Sequence, residues 1–247
     1  MGNDQPLLMP TQLDKLASVD SPTIANVIEL FGVRSNIAGY TDSTIKAVYP
    51  DLKPVVGYAV TCTYRTSFPV PCVDAYDSIP ALIEAGDSIP MPKIVVFEDL
   101  DPQPAAAVYG EVMAMTFQKF GYVGLITNGA GRDFEQVRPL KFPCFTSSMN
   151  VSHGYCWIPE TMVPVTIGGL RITAGQILHA DANGIVHIPA EIVGAVAELI
   201  DPFMAAEQIV LDYLHGDTVT PKGYADAFAA MRKTTAGLVE RARAMVP

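Results

Sequence analysis

An arginine and an aspartate side by side at the exit of a buried strand suit one kind of chemistry, and residues 121–133, Gly-Tyr-Val-Gly-Leu-Ile-Thr-Asn-Gly-Ala-Gly-Arg-Asp, put them there. Val123, Leu125 and Ile126 are apolar and β-branched or large, as a buried strand requires. Gly129 and Gly131 permit a tight turn and close backbone approach. Side chains at such an exit point into the crevice where α/β sheets hold ligands. Arg132 offers a planar fork for a carboxylate, and Asp133 offers hard oxygen for a divalent cation. A metal plus a carboxylate clamp is the minimum equipment for handling a 2-oxo acid. Adjacent Arg and Asp also form ordinary solvated turns, and Gly-x-Gly alone is a weak signal, so the neighbouring segments have to add weight.

Those segments read as α/β. Residues 11–32 predict a helix, with Ser21 as N-cap, Pro22 at the first helical position and Gly32 past the end. Gly57–Tyr64 predicts a strand, 73–85 a helix, and Lys93-Ile-Val-Val-Phe97 a compact central strand. Residues 98–104 form a polar, proline-punctuated loop, followed by a helix from Val112 to Phe120. With the strand at Val123 this makes a strand-loop-helix-strand unit, the mark of a parallel crossover. Phe134–Leu140 predicts a short helix and Phe142–Phe145 a short strand, a second crossover.

The second half predicts a β-layer, with strands at Met162–Ile167, Leu170–Ile172 and Gly184–Ile188 joined by Gly-rich or Asp/Asn-rich turns. A helical stretch follows from Ala190 to Leu214, broken or kinked at Pro202, and a last helix from about Tyr224 to Met245. No internal repeat or long linker interrupts the chain. The expectation is one domain over residues 1–247 with a helical tail at 190–247, packed on its own core or on a neighbouring subunit.

Composition narrows the function classes. Of 247 residues 49% are hydrophobic, ample for a sizeable core. The net charge of −10, with only 16 Lys and Arg scattered along the chain, argues against a nucleic-acid partner. Any anion site must then be made locally, by one Arg, a metal or a helix N-terminus. No apolar run reaches membrane-spanning length uninterrupted, and residues 1–6 lack a secretory pattern, so a cytoplasmic location is expected. Cys62, Cys72, Cys144 and Cys156 show no C-x-x-C spacing and read as buried free thiols. His153, His179, His187 and His215 form no metal-ligand pattern and read mostly as structural or surface residues.

Taken together, six ordered pieces resemble a known family. They are Ser21-Pro-Thr-Ile-Ala-Asn26, Val56-Gly-Tyr-Ala-Val-Thr61, Tyr109-Gly110-Glu111, Gly124 to Asp133, Arg138 to Phe145, and Gly175 to Pro189. The resemblance covers most of the chain and is to the RraA-like family. That family holds the bacterial regulators of ribonuclease activity type A and the class II 4-hydroxy-4-methyl-2-oxoglutarate / 4-carboxy-4-hydroxy-2-oxoadipate aldolases. It implies a three-layer α/β/β swivelling-type domain, assembled as homotrimers or homohexamers with sites at subunit interfaces.

It also implies site roles. The aldolases carry an acidic residue, twenty others, then Arg-Asp, and Glu111 and Arg132-Asp133 stand at that spacing. By resemblance Asp133 helps hold Mg²⁺ or Mn²⁺, partly through water, and Arg132 contacts the pyruvyl group. Glu111 would ligate or orient water at the metal and assist proton transfer. Gly110 and the backbone amides of Val112 and Met113 would take the substrate carboxylate, which free N–H groups at a helix start can do without a basic side chain. Glu207, on the C-terminal helix, stands near the place of a Glu that the aldolases recruit from a neighbouring subunit.

Two positions depart from the family pattern. Glu111 stands where Asp is usual, lengthening the arm by one methylene, and Asn128 stands where Asp is frequent. The expected function is a divalent-metal-dependent carbon–carbon lyase on a small 2-oxo acid, by retro-aldol cleavage or oxaloacetate decarboxylation through a pyruvate enolate. The rival is a non-catalytic regulator that binds a protein partner such as a ribonuclease. A methyltransferase reading fails for want of a Gly-rich cofactor loop. Tyr109, Phe145 and Ser147-Ser148 are the candidates for setting substrate choice.

Overall fold

The computed structural model describes residues 7–70 and 75–246. Its centre is a seven-stranded mixed sheet. Strands β1 (Lys46–Ala47), β2 (Val55–Tyr64), β3 (Lys93–Asp99), β5 (Tyr122–Thr127), β7 (Cys144–Thr146), β11 (Ile177–Asp181) and β12 (Gly184–Ile188) lie in the order β1-β7-β5-β3-β2-β11-β12. β2, β3, β5 and β7 are mutually parallel, whereas β1 pairs antiparallel with β7, β11 with β2, and β12 with β11. Helices α4 (Glu111–Lys119) and α5 (Phe134–Val137) connect successive parallel strands, as the two expected crossovers require.

The sheet divides two apolar cores because successive side chains point to opposite faces. Val95 and Phe97 enter the larger core with Val60, Leu125 and Phe117, beneath the helices. Ile94, Val96 and Ile126 enter the smaller one against Val165, Ile167 and Ile172 of the hairpin β9 (Val165–Ile167) and β10 (Leu170–Ile172). Helices, sheet and hairpin are thus the three layers of an α/β/β domain. Burying a side chain such as Phe97 stabilises by about 1.5–3 kcal/mol, and Phe97 is fully buried.

The structure alters several expected elements. Residues 11–32 are two helices, α1 (Pro10–Leu16) and α2 (Ser21–Glu29). Asp20, not Ser21, is the N-cap, its carboxylate accepting Thr23 N. The turn between them is fixed from outside, because the Val19 carbonyl faces His179 Nε2 at 3.0 Å. β11 is a strand the sequence did not announce. All five of its residues are buried, so no alternation shows, and His179 is tolerated because Ser21 Oγ meets its Nδ1 at 2.8 Å. Residues 98–101 are not a solvated loop. Glu98 and Asp99 finish β3, and buried Asp101 accepts from Thr66 N, Ser67 N, Ser67 Oγ and Arg65. Burial raises the pKa of Asp101, but the hydrogen bonds from Thr66 and Ser67 outweigh it and hold the carboxyl below its ordinary value.

Helix α3 spans Ala75–Ala85, and the first residues of the expected 73–85 helix lie outside the described residues, as does Cys72. Cys62, Cys144 and Cys156 are buried free thiols. Helix α6 (Val193–Leu214) runs on through Pro202 and packs on α1 and α2, and α7 (Pro221–Ala244) packs back along it. No helix among the described residues is long and apolar enough to cross a membrane.

Candidate functional site

A second, three-stranded parallel sheet brings the sequence-distant residues together. It consists of β4 (Ala107–Tyr109), β6 (Ala130–Gly131) and β8 (Ser148–Met149), in the order β4-β6-β8. β4 leads into α4 and β6 follows β5. Pairing Tyr109 with Gly131 therefore sets Gly110-Glu111 beside Arg132-Asp133. The junction is closed by Arg132 N donating to the Tyr109 carbonyl at 3.0 Å. Strands of two or three residues carry no periodic signal, so this sheet was invisible in the sequence.

The turn that delivers Arg132 is clasped to β3. Asn128 accepts from Asp99 N at 2.7 Å and donates to Asp99 O at 3.0 Å, a side-chain mimic of one more ladder step. An Asp could make only the first of these bonds. Ser147 Oγ and Thr146 Oγ1 both donate to the Gly129 carbonyl. Ser147 therefore braces the turn, and Phe145 lies in the hairpin-side core. Of the residues expected to set substrate choice, Tyr109 does line the cleft.

Asp133 sits at φ 57°, ψ 36° and caps α5 with its carbonyl, which accepts from Gln136 and Val137. Left-handed backbone is uncommon off glycine, though Asp tolerates it better than most residues. Its carboxylate is thereby left for the site: Oδ2 accepts Glu111 N at 3.1 Å and lies 3.6 Å from Arg132 Nε. Gly110 makes this approach possible. Its backbone is extended, so the constraint is space, for a Cβ there would stand 2.4 Å from Asp133 Oδ2. Gly110 also offers no side chain to the first-turn amides of Val112 and Met113, which have no upstream acceptor within α4.

Gly110, Val112, Met113, Arg132 and Asp133 line one cleft with Tyr64, His153 and Cys156, and Glu111 meets it through its backbone amide on Asp133, its side chain not being among the lining residues. Arg132 and Asp133 are partly exposed, their side chains retaining 29% and 37% accessibility, so a ligand can reach them. Burial, then the neighbouring Cys144, pushes the Tyr109 phenol well above its ordinary pKa, so that ring is a neutral wall. The sequence reading passed over Tyr64, Cys156 and His153, which belong to no motif and reach the cleft only through the fold. Glu207 is not among the cleft residues of its own chain. It lies on α6, where burial and then Asp20 raise its pKa. Asp20 belongs to the far end of the sheet, because Asp181, which accepts Ser21 N, is the last residue of β11 and lies past the N-terminal end of β2.

Among the described residues, no three His, Cys, Asp or Glu side chains gather as a ready metal cage. The donor set fits Mg²⁺ or Mn²⁺ in another manner. Such ions take one or two carboxylates and complete their shell with water and substrate oxygens. The Asp133 carboxylate, held by the Glu111 backbone amide in a cradle that a Cβ at Gly110 would fill, supplies one such carboxylate.

A second polar pair invites a catalytic reading and does not sustain it. Ser21 Oγ meets His179 Nδ1 beside an apolar cavity lined by Pro22, Tyr40 and Ile185. An acyl-transfer serine needs amide donors for its oxyanion. Here Ser21 N is taken by Asp181, Thr23 N by Asp20, and Pro22 has none. Burial holds the His179 pKa down, and the pair ties α2 to β11.

Comparison with known proteins places this fold. The family model described as RraA-like, Aldolase/RraA, matches residues 23–187, and the chain belongs to that family. Protein DlpA of Legionella pneumophila is 24% identical over 183 residues, which are 73% of this chain and 28% of that protein. A Halalkalibacterium halodurans protein, provisionally named a 4-hydroxy-4-methyl-2-oxoglutarate aldolase, is 27% identical over 99 residues, 40% of this chain and 47% of its own. The chain thus spans about a quarter and about half of these two relatives' lengths. Two solved structures share the fold. An uncharacterized protein from Pseudomonas syringae pv. tomato aligns with TM-score 0.71 and 19% identity, over 92% of this chain and 96% of its own. Streptomyces coelicolor RraAS2, described as an unusual member of the RNase ES inhibitor RraA family, aligns with TM-score 0.65 and 19% identity, over 82% and 96%.

Proposed function

We propose that this chain is a divalent-metal-dependent carbon–carbon lyase acting on a small 2-oxo acid. The observation that carries the reading is the bond from Glu111 N to Asp133 Oδ2, which closes Arg132, Asp133 and the start of α4 around one cleft. The provisional name of the Halalkalibacterium relative supports an aldolase over other lyases.

Each residue has a task that its chemistry suits. The first-turn amides of Val112 and Met113, at the positive end of α4, bind the 2-oxo carboxylate. Arg132 holds the planar oxo-acid group with its fork, and Asp133 with Glu111 would hold Mg²⁺ or Mn²⁺. When bound, the ion supplies electrophilic stabilisation of negative charge developing on the oxo oxygen. The bond between C3 and C4 breaks with its electron pair left on C3 of the pyruvate unit, C4 departing as CO₂ from oxaloacetate or, in the retro-aldol reaction, as a carbonyl compound once its hydroxyl proton has passed to water, and a proton returns to C3. Glu111 assists that proton's transfer through water. Glu207 completes the site from a neighbouring subunit of a trimer or hexamer, with the 190–247 tail at the interface.

Oxaloacetate is the economical test substrate, because its decarboxylation needs the core site and little beyond it. With Mg²⁺ or Mn²⁺ the protein is expected to release CO₂ and pyruvate faster than metal alone and faster than Asp133→Ala, which should lose about 100-fold or more. Glu111→Gln should lose most of the rate, whereas Glu111→Asp should keep or improve it. No excess rate over both controls with any divalent metal would refute the lyase and favour the protein-binding regulator.

A further inference from the structure

The turn that delivers Arg132 is gripped from two sides, and the grips differ in kind. Towards β7, the Gly129 carbonyl accepts from Thr146 Oγ1, Ser147 Oγ and Ser147 N, none of which titrates. Towards β3, the turn is held by the two bonds between the Asn128 side chain and the backbone of Asp99. The residue on that side carries an acid.

The Asp99 carboxyl is packed into the same junction. Asp99 is 4% exposed, its Oδ1 accepts Asp101 N at 3.0 Å, and its Oδ2 has no hydrogen-bond partner among the described residues. Gly129 lies against it, for a Cβ on that glycine would stand 3.1 Å from Oδ2 and 2.4 Å from Val108 Cγ2. The unpaired oxygen therefore abuts the turn. Few charged or titratable groups face it. Asp101 follows on its own strand, the Tyr64 phenol ends β2, and Arg65 comes next but gives its ion pair to Asp101 at 3.2 Å. From β4 and the turn come only Val108, Asn128 and Gly129, all uncharged.

We propose that Asp99 is a positioning residue for Arg132: its neutral carboxyl lets the Asn128 clasp close, and its ionisation loosens the clasp and shifts the guanidinium from its carboxylate-binding place. The inference deepens the lyase reading, in which Arg132 is the clamp. A buried carboxylate oxygen with no donor draws in water far more strongly than a neutral carboxyl does. Water reaches Oδ2 by parting the surfaces around it. β2 is paired with β3 along the whole of Lys93–Asp99, whereas the turn is joined to Asp99 by the Asn128 bonds alone, so the turn yields first. Arg132 stands three residues beyond Gly129 and follows it. Burial, with a smaller push from Asp101, raises the Asp99 pKa to about 6, so the clasp is closed below that pH and loosens as pH rises through it.

The first arm of the test needs no ligand. By NMR on isotope-labelled protein, the Arg132 backbone and Nε resonances should shift with a midpoint near 6 in the wild type and stay fixed in Asp99→Asn, which copies the neutral carboxyl. The second arm titrates oxalate into the Mg²⁺-loaded protein by calorimetry. Affinity should fall about fivefold or more from about pH 5 to about pH 8 in the wild type, while Asp99→Asn keeps the low-pH affinity throughout. Asn128→Ala, which lacks the clasp, should bind weakly at both. Arg132 resonances that do not follow Asp99 overturn the proposal, as does wild-type oxalate affinity that is flat with pH. A pH dependence that survives in Asp99→Asn belongs to another group, His153 in the cleft being one, and overturns it equally. Resonances that follow Asp99 in a protein that binds no oxalate uphold the clasp and refute the lyase reading.

Discussion

Arg132 is the side chain whose geometry matters more than its charge. Its backbone N–H is fixed on Tyr109 O and its Nε lies 3.6 Å from Asp133 Oδ2, which keeps the guanidinium beside that carboxylate. Arg132→Lys keeps the charge and discards the fork. Oxalate or pyruvate should then bind more weakly by about 1.5–3 kcal/mol, as for a lost hydrogen bond to a charged group. Inhibition by pyruvate that stays the same in this variant would remove Arg132 from the carboxylate clamp. The Glu111 carboxylate stands on a different footing, for its backbone amide already does structural duty on Asp133. Substitutions there change the acid without releasing the cradle.

The parallel strands β3 and β5 end in a clasp that carries a titratable price. Asp99, joined to Asn128 through its backbone, has a buried carboxylate whose Oδ2 finds no hydrogen-bond partner among the described residues. Burial, with a smaller contribution from Asp101, raises its pKa to about 6. A raised carboxyl favours the folded state below its unfolded value of 3.8, and that contribution is lost as pH rises through about 6. At pH 8 the buried charge is a cost, so Asp99→Asn should stabilise the protein there by about 1–2 kcal/mol after allowance for solvent screening. Near pH 4 the gain should vanish. Urea unfolding at the two pH values checks this, and an equal shift at both would show that the carboxyl does not titrate in the folded state as stated.

Assembly is where Glu207 is decided. On its own chain it sits on α6 near Asp20, away from the Arg132 cleft, so any part in the chemistry must be played on a neighbour. If it is, Glu207→Gln and Asp133→Ala should each be inactive alone and regain activity when mixed and allowed to exchange subunits. Light scattering on the mixture checks that both form oligomers. An active monomer, or mixed oligomers without recovered turnover, would show that the site is complete within one chain.

Much of this was legible in the chain because it is local. The runs at Val55–Tyr64, Lys93–Asp99 and Tyr122–Thr127 are apolar enough to be central strands, and Gly129-Ala-Gly131 before Arg132-Asp133 marks a strand exit with chemistry behind it. The resemblance led to Gly110, Glu111, Val112 and Met113, which the fold sets beside that exit, Glu111 through its backbone amide. Other features depend on partners distant in sequence. Asp20 caps α2 and splits the first helical stretch because His179 takes the Val19 carbonyl, 160 residues away. β11 is a strand because β2 and β12 satisfy its backbone, although its His and Asp disguise it. The β4-β6-β8 sheet is too short for any pattern, and His153 reaches the cleft only because that sheet aims the loop after β8. Periodicity reports which face of an element is buried, whereas the meeting of two elements is set by packing that no single stretch of sequence contains.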